Sequence, residues 1–70
     1  MIKKVKVSYY FEKQDRKEFK KWLVDNDLTQ QDFAKICGVS VSFINSLIHG
    51  KRPITQHTIK VFGDNGYKII

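Results

Sequence analysis

The chain opens with an alternation of apolar and polar residues. Between Ile2 and Phe11 (IKKVKVSYYF), Val5, Val7, Tyr9 and Phe11 share one parity, and Lys4, Lys6 and Ser8 the other. That period suits a strand with one buried face. The chain end, Tyr67-Lys68-Ile69-Ile70, is a second run of strand formers. A lone strand leaves its ladder groups unmet, so the two ends are expected to pair into a small two-stranded sheet.

Between these ends the period becomes helical. Asp15, with Glu18 three residues on, reads as the cap of a first helix whose inward stripe is Phe19, Trp22 and Leu23. Asp25, Asn26 and Asp27 mark its exit. Thr29 caps a second helix that runs to Cys37 and turns Phe33, Ala34, Ile36 and Cys37 inward, and Gly38 ends it. Ser40 caps a third, anchored by Ile44 and Leu47 and ended by Gly50. Lys51-Arg52-Pro53 is a loop, because proline lacks an amide proton and disfavours helix before it. Thr55 caps a fourth, carrying Ile59 and Phe62 and stopping at Gly66 rather than Gly63.

The expected architecture is mainly α: a single domain over residues 1–70, with an N-terminal basic strand at 1–11, a helix-turn-helix at 29–49 and a C-terminal strand at 67–70. The sequence contains no internal repeat or low-complexity segment. Seventy residues leave little room for a deep catalytic cavity. The composition, 41% hydrophobic and 29% charged, is that of a folded domain. No apolar run approaches membrane-spanning length, and the Lys-rich start lacks the apolar block of a signal peptide. Cys37, the single cysteine, can form no internal disulfide. A cytoplasmic protein is expected.

Charge sharpens the picture. The net charge of +6 suits an anionic partner such as nucleic acid. Its distribution is uneven. Eight basic residues face three acidic ones up to Lys21, whereas five face four in the remainder.

Two short helices separated by Gly38-Val39-Ser40 have helix-turn-helix spacing. The segment DLTQQDFAKICGVSVSFINSLIHGKRPIT resembles the DNA-binding unit of the Cro/CI-type (XRE) phage repressors. Their usual order falls here on Leu28-Thr29-Gln30, Asp32-Phe33-Ala34, Gly38-Val39-Ser40, Ile44, Leu47 and Gly50-Lys51. The resemblance covers about Arg16 to Asn65 and implies a four-to-five-helix Cro/CI-like domain in a bacterial host cell. It implies a phage-type transcriptional regulator acting in a lysis/lysogeny-like switch by sequence-specific DNA binding, with operator DNA as partner and a possible homodimer. Residue by residue, it gives Gln30 a phosphate contact. Ser40, Val41, Ser42, Asn45 and Ser46 would face base edges from the third helix, and Lys51 and Arg52 would touch backbone phosphate. Capping accounts for Ser40 at least as well, and Lys51 and Arg52 read equally as solvated loop charges.

The third helix departs from the family pattern. Of its groove-facing positions only Asn45 is a strong base reader. Phe43 and Ile48 stand where the family usually carries polar residues, and with Val41 they would enlarge an exposed apolar surface of the kind that marks protein contacts. From the Lys-rich strand to Gly-Tyr-Lys-Ile, the chain also resembles the temperate-phage antirepressors called modulators of repression. That similarity implies the alternative function, in which the same surface, with His49 at its end, binds the DNA-binding domain of a partner repressor and blocks its operator binding.

Catalytic and cofactor chemistry find no support. His49 and His57 are the only histidines, and neither lies at ligand spacing from Cys37 or from the other. No nucleophile-base-acid set, phosphate-cradling glycine loop or paired carboxylate site can be argued. The expectation is a non-enzyme with no metal, no cofactor, no small-molecule substrate and no membrane contact. His49 is placed to meet the last carbonyls of its helix, while Cys37 and Trp22 read as core residues.

Overall fold

Glu12, three residues ahead of the expected cap at Asp15, begins the first helix in the computed structural model, which describes residues 2–5 and 8–70. Asp15 serves instead as the third helical residue, its carboxylate accepting from the Glu12 amide at 2.8 Å. The helix therefore runs Lys13–Asp25 (α1). It is followed by α2 (Gln30–Cys37), α3 (Val41–Ile48) and α4 (Gln56–Asp64). Thr29, Ser40 and Thr55 cap the last three, each side-chain oxygen accepting from the amide three residues on at 3.0 to 3.1 Å.

All four helices end alike. Asp27, Gly38, Gly50 and Gly66 adopt positive φ. The next residue's amide then returns to a carbonyl five residues earlier, at 2.8 Å for Leu28 to Leu23 and 3.0 Å for Lys51 to Ser46. This arrangement satisfies terminal carbonyls that have no intrahelical partner.

The sheet is two-stranded, but not between the termini. β1 (Lys3–Val5) pairs antiparallel with β2 (Ser8–Tyr10), with Lys4 opposite Tyr9. An antiparallel neighbour close in sequence meets the ladder with little loop closure, so the C-terminal run is not needed for it. Residues 67–70 adopt no strand. The Tyr67 ring packs edge-on against Phe19 at 4.9 Å and against Trp22 at 5.2 Å, which holds this segment by side-chain burial instead. β2 reaches the body of the molecule through the Ile54 amide, which donates to the Tyr9 carbonyl at 2.7 Å. The inward parity expected of the first strand is met at Phe11 and partly at Tyr9. Val5 is instead exposed, and Lys6 and Val7 lie outside the described residues.

The core gathers Phe11, Phe19, Leu23, Phe33, Ala34, Ile44, Leu47, Ile48, Ile54 and Phe62. Phe19 is its centre, with the rings of Phe33 and Phe62 at 5.5 and 5.8 Å. Ile36, expected inward, is 52% exposed. Phe33, Ala34 and Cys37 define the inner face of α2, and at about 100° per residue Ile36 falls on its flank.

Candidate nucleic-acid interface

Local chemistry defines the start of α2 and both ends of the turn that leads from α2 into α3. At the start of α2, Thr29 Oγ1 accepts from the Asp32 amide and Asp32 Oδ2 accepts from the Thr29 amide, both at 3.0 Å. Hydrogen bonding to the carboxyl from Thr29, the backbone amide first and the side chain second, holds Asp32 below the usual carboxylate range. Gly38, at φ 73°, reverses the chain after α2. Ser40 Oγ accepts from the Phe43 amide at 3.1 Å and starts α3. Its oxygen is engaged in capping, one of the two roles the sequence leaves open for it.

On α3, Ile44, Leu47 and Ile48 are fully buried and form one stripe at helical spacing. Ile48 therefore does not belong to the outer face, where the sequence pattern places it. Phe43 is only partly exposed and packs on the core. The Arg52 guanidinium lies 5.0 Å from its ring centroid, a cation–π contact that covers part of the ring. The outward stripe that remains is Val41, Ser42, Asn45 and His49, with Ser46 half-buried beside it. Val41 is 43% exposed. The carboxamide of Asn45 makes no hydrogen bond among the described residues, so its donor and acceptor are both available.

The sequence profile of the helix-turn-helix family HTH_3, the Cro/CI type, matches residues 19–61. The chain belongs to this family of DNA-binding transcription regulators. No curated protein and no solved structure matches it.

In this helix-turn-helix domain Gln30 is the first residue of α2 and half-buried, while Lys51 and Arg52 are exposed in the bend after α3. His49 closes α3 as expected, its Nδ1–H donating to the Asn45 carbonyl at 2.8 Å. That bond leaves Nε2 facing away from the helix end.

One neighbour of this helix-turn-helix leaves almost no trace in the sequence. An open groove of about 450 Å³ lies between the hairpin, the start of α1 and the end of α3, bordered by Lys3, Tyr10, Glu12, Lys13, His49 and Gly50. The only signal for it in the sequence is the excess of lysine near the N-terminus.

A second hollow, about 30 Å³ between Cys37, Phe43, His57 and Phe62, has room for about one water. Burial pushes the Cys37 thiol up, away from thiolate chemistry. Among the described residues no three His, Cys, Asp or Glu side chains are grouped to hold a metal ion. No described helix is long and apolar enough to cross a membrane.

Proposed function

We propose that this chain represses or activates transcription by sequence-specific DNA binding, with α3 in the major groove. Asn45 would read a base edge, an adenine offering both the acceptor and the donor that a carboxamide matches. Val41 would meet a thymine methyl, with Ser42 and Ser46 beside it. Gln30, Lys51 and Arg52 would touch phosphate. Helix-turn-helix proteins of this family often dimerise, and a homodimer on two half-sites one DNA turn apart would double the contact. A phage-type lysis/lysogeny switch, in the cytoplasm of a bacterial host, is the setting this reading takes from its resemblance to phage repressors.

The observation that carries the reading is the exposed Asn45, whose carboxamide has no hydrogen-bond partner among the described residues, on a face from which Ile48 has withdrawn. The antirepressor alternative rests on a broad apolar α3. With Ile48 in the core and Phe43 partly covered, Val41 is the main apolar residue left on that face.

Selection of bound sites from a random duplex pool tests this. The expected result is a defined half-site. Asn45→Ala should then lose about 1–3 kcal/mol of discrimination at one base pair. A pool that yields no preferred sequence overturns it. If a co-expressed repressor domain were then captured through Val41, the antirepressor function would take its place.

A further inference from the structure

We infer that the groove between the hairpin and the end of α3 is a second DNA contact, a seat for the sugar-phosphate backbone bordering the major groove that α3 enters. The inference rests on the DNA-binding reading and extends it to residues outside the helix-turn-helix.

Three observations converge on this. The helix-turn-helix itself, Leu28 to Arg52, carries Lys35, Lys51 and Arg52 against Asp32, a net of only +2. Phosphate neutralisation supplies much of the affinity of DNA-binding proteins, so this face alone is short of cations. The groove supplies them. Lys3 on β1 and Lys13 on α1 line it beside His49, Val5 and Phe11, two lysines against Glu12, the one acid among the lining residues. Tyr10 adds a phenol that can donate to a phosphate oxygen.

The second observation is continuity. His49 belongs both to the outer stripe of α3 and to the groove wall. A helix lying in a groove about 12 Å wide ends against the bordering backbone, and the lysines lie at that end.

The third concerns Lys13. It is the first residue of α1 and exposed. The helix dipole disfavours a cation there, so helix stability gives no reason for lysine at this position. An anion in the groove does. The competing occupant, a second copy adding a strand to β1, is disfavoured by Lys3 and Lys4, since edge lysines oppose strand addition.

The test is a titration of the full chain against the selected operator duplex and a random duplex of equal length, over a series of salt concentrations. In Lys3→Ala/Lys13→Ala both affinities should fall alike, on the order of tenfold, and the ratio between them should hold. The slope of log K against log salt should shrink by about 1.8, at about 0.9 for each phosphate no longer neutralised. Asn45→Ala should do the reverse, lowering the ratio with the slope kept. Both lysines are exposed, and an unchanged melting point checks that the variant is folded. If the double variant binds both duplexes with the parent's affinity and slope, the groove is not a DNA contact, and base reading by α3 stands. If the parent binds neither duplex, both readings fall together.

Discussion

Gly50 meets the backbone of Phe11 so closely that a Cβ there would lie 2.8 Å from the Phe11 carbonyl oxygen. This contact presses the end of α3 against the junction between the hairpin and α1, and so fixes where the basic groove lies relative to the outer face of α3. Gly50 also has φ 72°, a region that L side chains enter only at a cost. Gly50→Ala combines both penalties and should destabilise by more than about 2 kcal/mol. Gly63 is the control. It lies inside α4 with open space, to 4 Å, around the place a methyl group would take, and Gly63→Ala should stabilise by about 0.4–1 kcal/mol. Urea unfolding of both variants checks the pair, and equal midpoints would remove the close approach from the account.

Ile48 and Val41, two turns apart, lie nearly in line on α3, yet Ile48 is buried and Val41 at the helix start is 43% exposed. Ile48→Ala empties a fully buried site and should cost about 2–5 kcal/mol, a large share of the stability of so small a domain. Val41→Ala should stay within about 0.5 kcal/mol of the parent. Thermal melts decide this. A melting point for Ile48→Ala equal to the parent's would return Ile48 to the surface.

The divide between what the sequence reveals and what it hides follows the range of the interactions. Thr29, Ser40 and Thr55 are legible as caps because each bonds an amide only three residues away. Gly38, Gly50 and Gly66 are legible as helix ends for the same reason. Ile48 is not, because five of the eight residues of α3 (Val41, Phe43, Ile44, Leu47 and Ile48) are apolar. Such a helix offers more than one inner stripe, and only packing against the rest of the core selects Ile44, Leu47 and Ile48. The first strand poses a similar problem. An alternating run from Ile2 to Phe11 with no glycine, proline or asparagine gives no sign that it divides into β1 and β2. At the candidate site, Asn45 could be read from its position within one helix. The groove could not, since Lys3, Lys13 and His49 meet only after the chain has folded.

Arg52 and Phe43 should act as a unit in DNA binding. The guanidinium lies over the ring beside α3, so the phosphate contact proposed for Arg52 would depend on Phe43 as well. Phe43→Leu keeps the apolar packing and should cost under about 1.5 kcal/mol in stability, yet it should weaken DNA binding by freeing Arg52. In a double-mutant cycle with Arg52→Ala, the two effects on binding should be non-additive by at least about 0.5 kcal/mol. Strict additivity would mean that the ring does not position the guanidinium.

Acid should act on the start of α2 through Asp32. The bonds from Thr29, with a smaller pull from Lys35, hold its carboxyl below the usual range in the folded chain. A group whose folded value is depressed stabilises the fold fully above its unfolded value, and loses that contribution as pH falls through the folded one. The melting-point gap between the parent and Asp32→Ala should therefore be complete at neutral pH. It should begin to narrow near about pH 4, the ordinary carboxylate value, and go on narrowing below it as the folded carboxyl takes up its proton. Comparing the two proteins at each pH cancels the other acids, which both share. Part of the gap should persist in strong acid, because a protonated carboxyl can still accept from the Thr29 amide at reduced strength. A gap that stays constant from neutral to strongly acidic solution would show that the ionised carboxylate adds nothing to the cap, and that hydrogen-bond geometry alone starts α2.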